Sequence, residues 1–143
     1  MPTRSARATW EGGGLKTGRG RFESTSGAFA APFSVGTRFG ADPGTNPEEL
    51  LAAAHAACFS MALALDLERM GHAPERVETE AACTVEKEAD GYRIVRMALK
   101  TRVRAPGLDE ATFDRAAQGA RAGCPVSKAL AGIPEITLDA RLV

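Results

Sequence analysis

Residues 47–70 read PEELLAAAHAACFSMALALDLERM, and this stretch decides the fold. Asn46, just before it, is of a type that caps helices, and Glu49 at the third helical position predicts a capping box. The pattern predicts a helix that ends near residue 70, before Gly71. Over 50–65 the helix is apolar on almost every side, so we expect it to be enclosed. A second subunit would help one small domain to surround it.

The length and charge of the chain exclude several classes of protein. The chain has 143 residues, the size of a single domain, and we predict one domain over 1–143. Its 18 basic and 18 acidic side chains cancel, and no basic cluster suggests nucleic acid as a partner. The apolar run is shorter than a membrane span of roughly 20 residues, so we expect no membrane contact. The N-terminus lacks the apolar segment of a secretory signal, which predicts a cytoplasmic protein.

The rest of the chain mixes strands and helices. Glycine-broken runs in the first forty residues, the last being APFSVGTRFG (31–40), predict a small antiparallel sheet. Residues 76–104 alternate polar and apolar side chains around Asp90-Gly91, which predicts a hairpin. The remaining predicted elements are a helix over 108–122, a second helix start at GCPVSKAL (123–130) and a closing strand over 135–143. The class is therefore α+β.

Three cysteines, Cys58, Cys83 and Cys124, lack the close spacing of a zinc site, so no metal is predicted. Cys124 precedes Pro125 at a helix start, where backbone N–H groups and the helix dipole favour a thiolate. The alternative is a small residue that fills the cap position. Cys58 lies deep inside its helix, and a buried cysteine is usually a small apolar residue. For Cys58 to react, a cation must activate it. Cys83 fits the core of a strand.

Arg38 and Glu48 are the candidates for that activation. Arg38 lies between the apolar Val35 and Phe39, although an ordinary surface arginine is the alternative. Glu48 is not needed for the capping box and could orient Arg38 through a bidentate pair. In one straight helix, Glu48 lies about 15 Å along the axis from Cys58. Either these groups never meet, or Glu48 reaches Cys58 from an antiparallel partner.

His55 lies three residues before Cys58 on a neighbouring face of the same helix. One interpretation is a Cys/His nucleophile pair. The other is a histidine held by a buried hydrogen bond. The sequence leaves the role of His55 open between them.

Several segments in order resemble the osmotically inducible protein C (OsmC) family of thiol peroxidases, which is related to the organic hydroperoxide resistance proteins. The NPEEL and HAACFSMAL motifs, paired with the later GCPVSKAL, are the most specific. The supporting segments are WEGGGLKTGRG (10–20), TRFGADPGTNPEELLAAAHAACFSMAL (37–63), ALKTRVRAPGLDEATF (98–113), AGCPVSKAL (122–130) and EITLDARLV (135–143). Together they span nearly the whole chain. AGIP (131–134) departs from the pattern as a small insertion.

The resemblance implies an intertwined homodimer with antiparallel sheets around long central helices and active sites at the interface. It further implies that two cysteines reduce peroxides, preferably organic hydroperoxides, without haem, flavin or metal. By motif, Cys58 is the peroxidatic cysteine and Cys124 the resolving one, while Arg38 and Glu48 take the activating roles. A Cys58 sulfenic acid and then a Cys58–Cys124 disulfide form, and a dithiol reductant, such as a lipoylated or thioredoxin-like protein, resets the pair.

Two other classes remain possible interpretations of the same residues. A thiol redox sensor would use the same disulfide to switch a partner, without rapid turnover. An apolar-ligand-binding protein would use a groove at the interface and would not depend on either cysteine.

Overall fold

A computed structural model describes residues 1–143 throughout and contains six strands and four helices. The chain divides into two compact units, residues 1–50 (unit 1) and 51–143 (unit 2). Each unit has its own three-stranded sheet. The predicted α+β class is confirmed, while one domain over 1–143 stays a prediction.

Unit 1 begins with an antiparallel sheet in the order β1-β2-β3. Its strands are β1 (Ala6–Glu11), β2 (Arg19–Ser24) and β3 (Ala30–Phe33). Aromatic rings cover one face: the ring centroid of Phe33 lies 5.7 Å from that of Trp10 and 5.8 Å from that of Phe22. Gly20 is opposite Phe33, whose ring occupies the space that a Cβ would need. The predicted small sheet is therefore confirmed up to residue 33.

The sheet does not continue beyond β3, because the chain turns into the short helix α1 (Val35–Phe39). The prediction of strand structure through residue 40 is wrong at this point. The Thr37 backbone N–H donates to Ser34 Oγ at 3.2 Å, and the Ser34 N–H donates to Thr37 Oγ1 at 2.8 Å. This reciprocal cap supplies partners for backbone groups that would otherwise remain unpaired, and it starts a helix where glycine spacing indicates turns.

The long helix α2 runs over Pro47–Arg69, close to its predicted bounds. The Glu49 backbone N–H donates to Asn46 Oδ1 at 2.8 Å, so the predicted cap forms. The Glu49 carboxylate, however, accepts from the Thr45 hydroxyl at 2.5 Å. The Glu49 side chain, which was expected to close the capping box, therefore pairs with Thr45 instead. Gly71, with φ of 84°, ends the helix as predicted.

Unit 2 contains a mixed sheet in the order β4-β5-β6. Its strands are β4 (Arg76–Glu88), β5 (Gly91–Arg104) and β6 (Glu135–Leu142). The first two form the predicted antiparallel hairpin, with a register shift between Thr84 and Val85. β5 and β6 are parallel, which corrects the expectation of purely antiparallel sheets. The helices between β5 and β6 form a crossover long enough to return the chain in the same direction.

The crossover contains α3 (Glu110–Gly123) and α4 (Pro125–Ala129). The buried face of α3, which consists of Phe113, Ala116, Ala117 and Ala120, joins the core of unit 2. This core also includes residues of α2 and β5, among them Phe59, Leu63, Leu67, Leu99 and Val103. The core therefore joins α2, the sheet and the crossover.

The opposite face of α2 is exposed. Met61 is 75% exposed and Leu65 44% exposed, and alanines 53, 54 and 57 are also exposed. The expected enclosure on nearly every side is not met within a single chain. By length and composition alone, α2 could cross a membrane. Its other face, with Phe59 and Leu63 fully buried, packs in the core of unit 2.

Candidate active site

The two candidate cysteines lie close together in the core of unit 2. Cys58, on α2, is half-buried, and Cys124, between α3 and α4, is fully buried. Cys124 belongs to the core cluster, and Cys58 packs against it. The fold thus brings together two residues that are distant in sequence.

Cys124 is held by the backbone because it serves two helices. Its N–H donates to the Ala120 carbonyl at 2.8 Å and closes α3, while its carbonyl accepts from the Lys128 N–H at 3.1 Å within α4. Pro125 at the first position of α4 has no N–H to satisfy. The predicted helix start at Cys124 is confirmed.

The two thiols are reduced and hydrogen-bonded to each other, and the Cys58 S–H donates to the Cys124 sulfur. Burial raises the pKa of Cys58 above its ordinary value, and the interaction with Cys124 raises it further. The Val126 backbone N–H acts in the opposite direction but does not outweigh these effects. Within one chain, Cys124 is therefore the more acidic thiol of the pair.

Burial also acts to raise the pKa of Cys124, but hydrogen bonds outweigh it, so that the pKa is lowered. The donors are the Ser127 backbone N–H, the Cys58 S–H, the Ser127 hydroxyl and the Val126 backbone N–H. The sulfur does not form a conventional side-chain cap of α4, yet these N–H groups stabilise negative charge on it. The predicted thiolate-favouring position at this helix start agrees with that pattern.

His55 also belongs to this cluster. It is fully buried on α2, and its Nε2 lies 2.7 Å from Ser127 Oγ. A proton on Nδ1 would be a buried donor without an acceptor, so we assign the ring proton to Nε2, which makes Nε2–H the donor to Ser127. Burial lowers the pKa of His55, which keeps the imidazole neutral. His55 therefore matches the interpretation of a histidine in a buried hydrogen bond.

Arg38 and Glu48 form an ion pair in unit 1. Arg38 Nε donates to Glu48 Oε2 at 3.1 Å, and Arg38 Nη2 donates to Glu48 Oε1 at 2.5 Å. The Arg38 side chain is 35% exposed and that of Glu48 is 8% exposed. The predicted bidentate pair is present. Two parallel bonds fix the plane of the guanidinium group more firmly than one would.

The neighbouring backbone supports this ion pair. Arg38 is on α1 and Glu48 in the first turn of α2, and Asn46 Nδ2 donates to the Thr37 carbonyl at 3.3 Å. Thr37 Oγ1 contacts the Thr45 carbonyl at 2.8 Å. The cap of one helix is thus hydrogen-bonded to the cap of the other.

The structure brings the predicted residues together as two separate pairs, one in each unit. Cys83 is elsewhere, half-buried on β4 opposite Met97, as expected for a strand residue. Sequence reasoning missed Ser127. The available signal was its position three residues after a cap residue, from which its backbone N–H and hydroxyl face back towards the cap.

The cysteine cluster is suited to thiol–disulfide chemistry. In a pair of contacting thiols, one can react as the thiolate nucleophile while the other remains a thiol that can donate its proton. The surrounding core is apolar. The apolar surroundings favour an uncharged, apolar co-reactant over an ionic one.

Comparison with known proteins identifies relatives with the same architecture. The family model described as OsmC-like protein matches residues 40–139. The peroxiredoxin OsmC of Escherichia coli is 46% identical over 97% of this chain and 96% of its own length. An organic hydroperoxide resistance protein of Xanthomonas axonopodis is 32% identical, over 94% and 92% of the two chains.

Solved structures agree with these sequence matches. An organic hydroperoxide resistance protein OsmC from Legionella pneumophila superposes with a TM-score of 0.80, at 25% identity over 98% of this chain and 97% of that one. The organic hydroperoxide resistance protein OhrB of Bacillus subtilis gives a TM-score of 0.74 at 26% identity, over 96% and 98%. The names of these relatives support a peroxidase role. Since sequence and fold agree over nearly the full length, this chain belongs to the OsmC family.

Proposed function

We propose that this protein is a cysteine-based peroxidase that reduces organic hydroperoxides to alcohols, and hydrogen peroxide less well to water, in defence against oxidative stress. The observation that carries the proposal is the hydrogen-bonded pair of reduced thiols, Cys58 and Cys124, in an apolar core. Such a pair supplies both electrons for one peroxide without a haem, flavin or metal.

In the first step, the Cys58 thiolate attacks the distal oxygen of the hydroperoxide. A sulfur–oxygen bond forms and the oxygen–oxygen bond breaks, which leaves Cys58 as a sulfenic acid. The alkoxide that leaves takes the proton from Cys124 and departs as the alcohol. Before this step Cys58 gives its own proton to solvent, while Cys124 keeps its thiol proton for the alkoxide.

In the second step, Cys124, now a thiolate, attacks the sulfenic sulfur of Cys58. The disulfide forms, and the hydroxide that leaves takes up a proton equivalent to the one that Cys58 released to solvent, which gives water. A dithiol reductant, such as a lipoylated or thioredoxin-like protein, then reduces the disulfide by exchange. The disulfide stops further oxidation of Cys58 towards sulfinic acid.

We assign the activation of Cys58 to Arg38, oriented by Glu48. Within one chain, burial raises the pKa of Cys58, so a cation is needed to move the equilibrium towards the Cys58 thiolate. The same cation would stabilise the charge that develops on the leaving oxygen. The assignment rests on the family motifs and on the bidentate Arg38–Glu48 pair, which presents a fixed guanidinium group.

The proposed active form is a homodimer that covers the exposed face of α2. This face carries Met61, Leu65 and several alanines, and contiguous apolar surface of this kind is typical of protein interfaces. Charge at its centre would be costly to bury, so Met61→Asp should shift the protein to monomers in sedimentation equilibrium. Lys87→Asp, on the exposed end of β4, is the control. A monomeric native protein would contradict the proposal.

The decisive experiment measures consumption of tert-butyl or cumene hydroperoxide with excess dithiol. Cys58→Ser should reduce turnover to the uncatalysed level, and Cys124→Ser should allow one turnover but impair recycling. Cys83→Ser, the matched control, should be unaffected. Activity that survives Cys58→Ser would overturn the proposal and leave Cys58 as a core residue of a protein with another role.

A further inference from the structure

The buried imidazole of His55 has no role in the cycle proposed above. It is fully buried, yet its Nδ1 has no hydrogen-bond partner. An unsatisfied buried polar atom lowers stability, and leucine would fill such a position without this cost. The feature that distinguishes His55 from an apolar residue is its 2.7 Å hydrogen bond from Nε2 to Ser127.

Ser127 connects this histidine to the cysteine pair. Its hydroxyl accepts from His55 Nε2–H and donates to the Cys124 sulfur, and the Cys124 sulfur accepts the Cys58 S–H. The result is a chain of hydrogen bonds that runs from His55 through Ser127 and Cys124 to Cys58. A hydroxyl rotates freely unless its oxygen has a fixed donor, and His55 supplies that donor.

The charged side chains nearest to Cys124 in sequence do not replace His55 as the donor to Ser127. Arg121, on α3, donates to the Ile136 carbonyl at 2.5 Å, and Lys128, on α4, is exposed. The titratable groups that contact Cys124 are therefore Cys58 directly and His55 through Ser127.

We propose that His55 is a positioning residue for Cys124: its Nε2–H fixes the Ser127 hydroxyl, which then donates to the Cys124 sulfur and holds Cys124 as the thiolate that resolves the Cys58 sulfenic acid. The inference rests on the proposed function for its place in the cycle, although the hydrogen-bond chain itself does not. In the resolving step, the sulfur–sulfur bond forms, the sulfur–oxygen bond of the sulfenic acid breaks, and the hydroxide that leaves becomes water with the proton that Cys58 gave to solvent.

The same hydrogen bonds also determine which sulfur of the disulfide the reductant attacks. The thiol with the lower pKa is the better leaving group in exchange, and the pKa of Cys124 is lowered by its donors. Cys124 is also the more deeply buried sulfur of the two. The external dithiol therefore attacks Cys58, and Cys124 leaves as the thiolate.

The test uses a Cys58→Ser, Cys83→Ser background, in which Cys124 is the only thiol, and follows thiolate absorbance in the ultraviolet against pH. Ser127→Ala and His55→Leu should each raise the pKa of Cys124 by about one unit, a tenfold fall in thiolate at a pH below that pKa. Together they should raise it no more than either alone, because they break one chain.

The matched pair His55→Gln and His55→Asn separates positioning from packing. The Gln amide nitrogen can occupy the position of Nε2 and donate to Ser127, so the titration should stay near that of the parent, whereas the shorter Asn should behave like Leu. Circular dichroism identifies any variant that fails to fold. If His55→Leu and His55→Asn both fold and titrate like the parent, the inference is wrong.

A second readout connects the positioning role to the cycle. In the otherwise native chain, His55→Leu should resolve its sulfenic acid more slowly, so that mass spectrometry finds more Cys58 sulfinic acid after excess cumene hydroperoxide. If the native chain shows no peroxidase activity but the titration shifts as expected, the proposed function fails while the positioning role stands. If turnover is normal and the titration is unchanged, only the positioning role fails.

Discussion

The Arg38–Glu48 pair and the Cys58–Cys124 pair differ in what surrounds them. The Arg38–Glu48 pair of unit 1 is ionised, partly exposed and held by the ends of two helices. The Cys58–Cys124 pair of unit 2 consists of two thiols with oppositely shifted pKa values inside an apolar core. The first therefore depends on local caps and the second on packing. Damage to each should have different consequences for stability and activity.

The largest expected effect is on the stability of unit 2. Phe59, next to Cys58 on α2, is fully buried, so Phe59→Ala should cost about 3–5 kcal/mol of unfolding free energy through lost burial and a residual cavity. Leu15→Ala in unit 1, where the side chain is 68% exposed, should change it by less than about 0.5 kcal/mol. Urea denaturation at one fixed protein concentration measures both. Equal losses would mean that the core of unit 2 is not the main source of stability.

The second prediction concerns turnover. Arg38→Ala should lower hydroperoxide turnover by about 10²–10³-fold, the usual cost of removing one positioned charge stabiliser. It should also lower the unfolding free energy by about 1–3 kcal/mol, because the Glu48 carboxylate, which is 8% exposed, loses its partner. Arg38→Lys should rescue only part of the rate because lysine cannot form the bidentate pair. Arg7→Ala, which removes an exposed pair with Glu23 at 3.9 Å, is the control. Normal turnover in Arg38→Ala would exclude the assigned role.

The third prediction concerns pH. Burial lowers the pKa of His55 in the folded state, so the unfolded chain binds the proton more readily and protonation favours unfolding. This contribution to stability is complete above about pH 6.5 and is lost as the pH falls below it, at up to about 1.4 kcal/mol per pH unit. His55→Gln should reduce the slope of the unfolding free energy against pH between about pH 6.5 and 5. An unchanged slope would mean that His55 is not the responsible group.

The smallest effect tests the cap beneath Arg38. Ser34→Ala removes one half of the reciprocal cap of α1 and should cost about 1 kcal/mol, with a fall in turnover smaller than that of Arg38→Ala. Asp109→Ala removes the side-chain cap of α3 and should cost a similar free energy while turnover remains normal. Equal losses of turnover would show that the cap of α1 has no special link to Arg38.

Local patterns in the sequence predicted most elements correctly. The bounds of α2, the turn at Asp90-Gly91 and the helix start at Cys124 all depend on cap and turn residues that act over a few positions. α1 was missed because its cap pairs Ser34 with Thr37 rather than with the Glu or Gln of the usual capping box. Local patterns therefore miss a helix start when threonine takes the place of glutamate or glutamine in the capping box.

Other features depend on tertiary contacts and were not predicted. The parallel pairing of β6 follows from the path of the α3–α4 crossover, which no local pattern encodes. Ser127 and His55 are distant in sequence, and only the fold places them 2.7 Å apart. The Arg38–Glu48 pair was predicted because family motifs and charge complementarity both indicated it.

The position of Cys124 on the crossover also connects the chemistry to the folding equilibrium. About 66 residues separate it from Cys58, and a bond that closes a loop of this length removes chain entropy from the unfolded state worth about 4 kcal/mol. The oxidised intermediate would thus unfold less readily than the reduced enzyme. A molecule that has just consumed peroxide would be better protected from proteolysis and heat until a reductant reopens the loop.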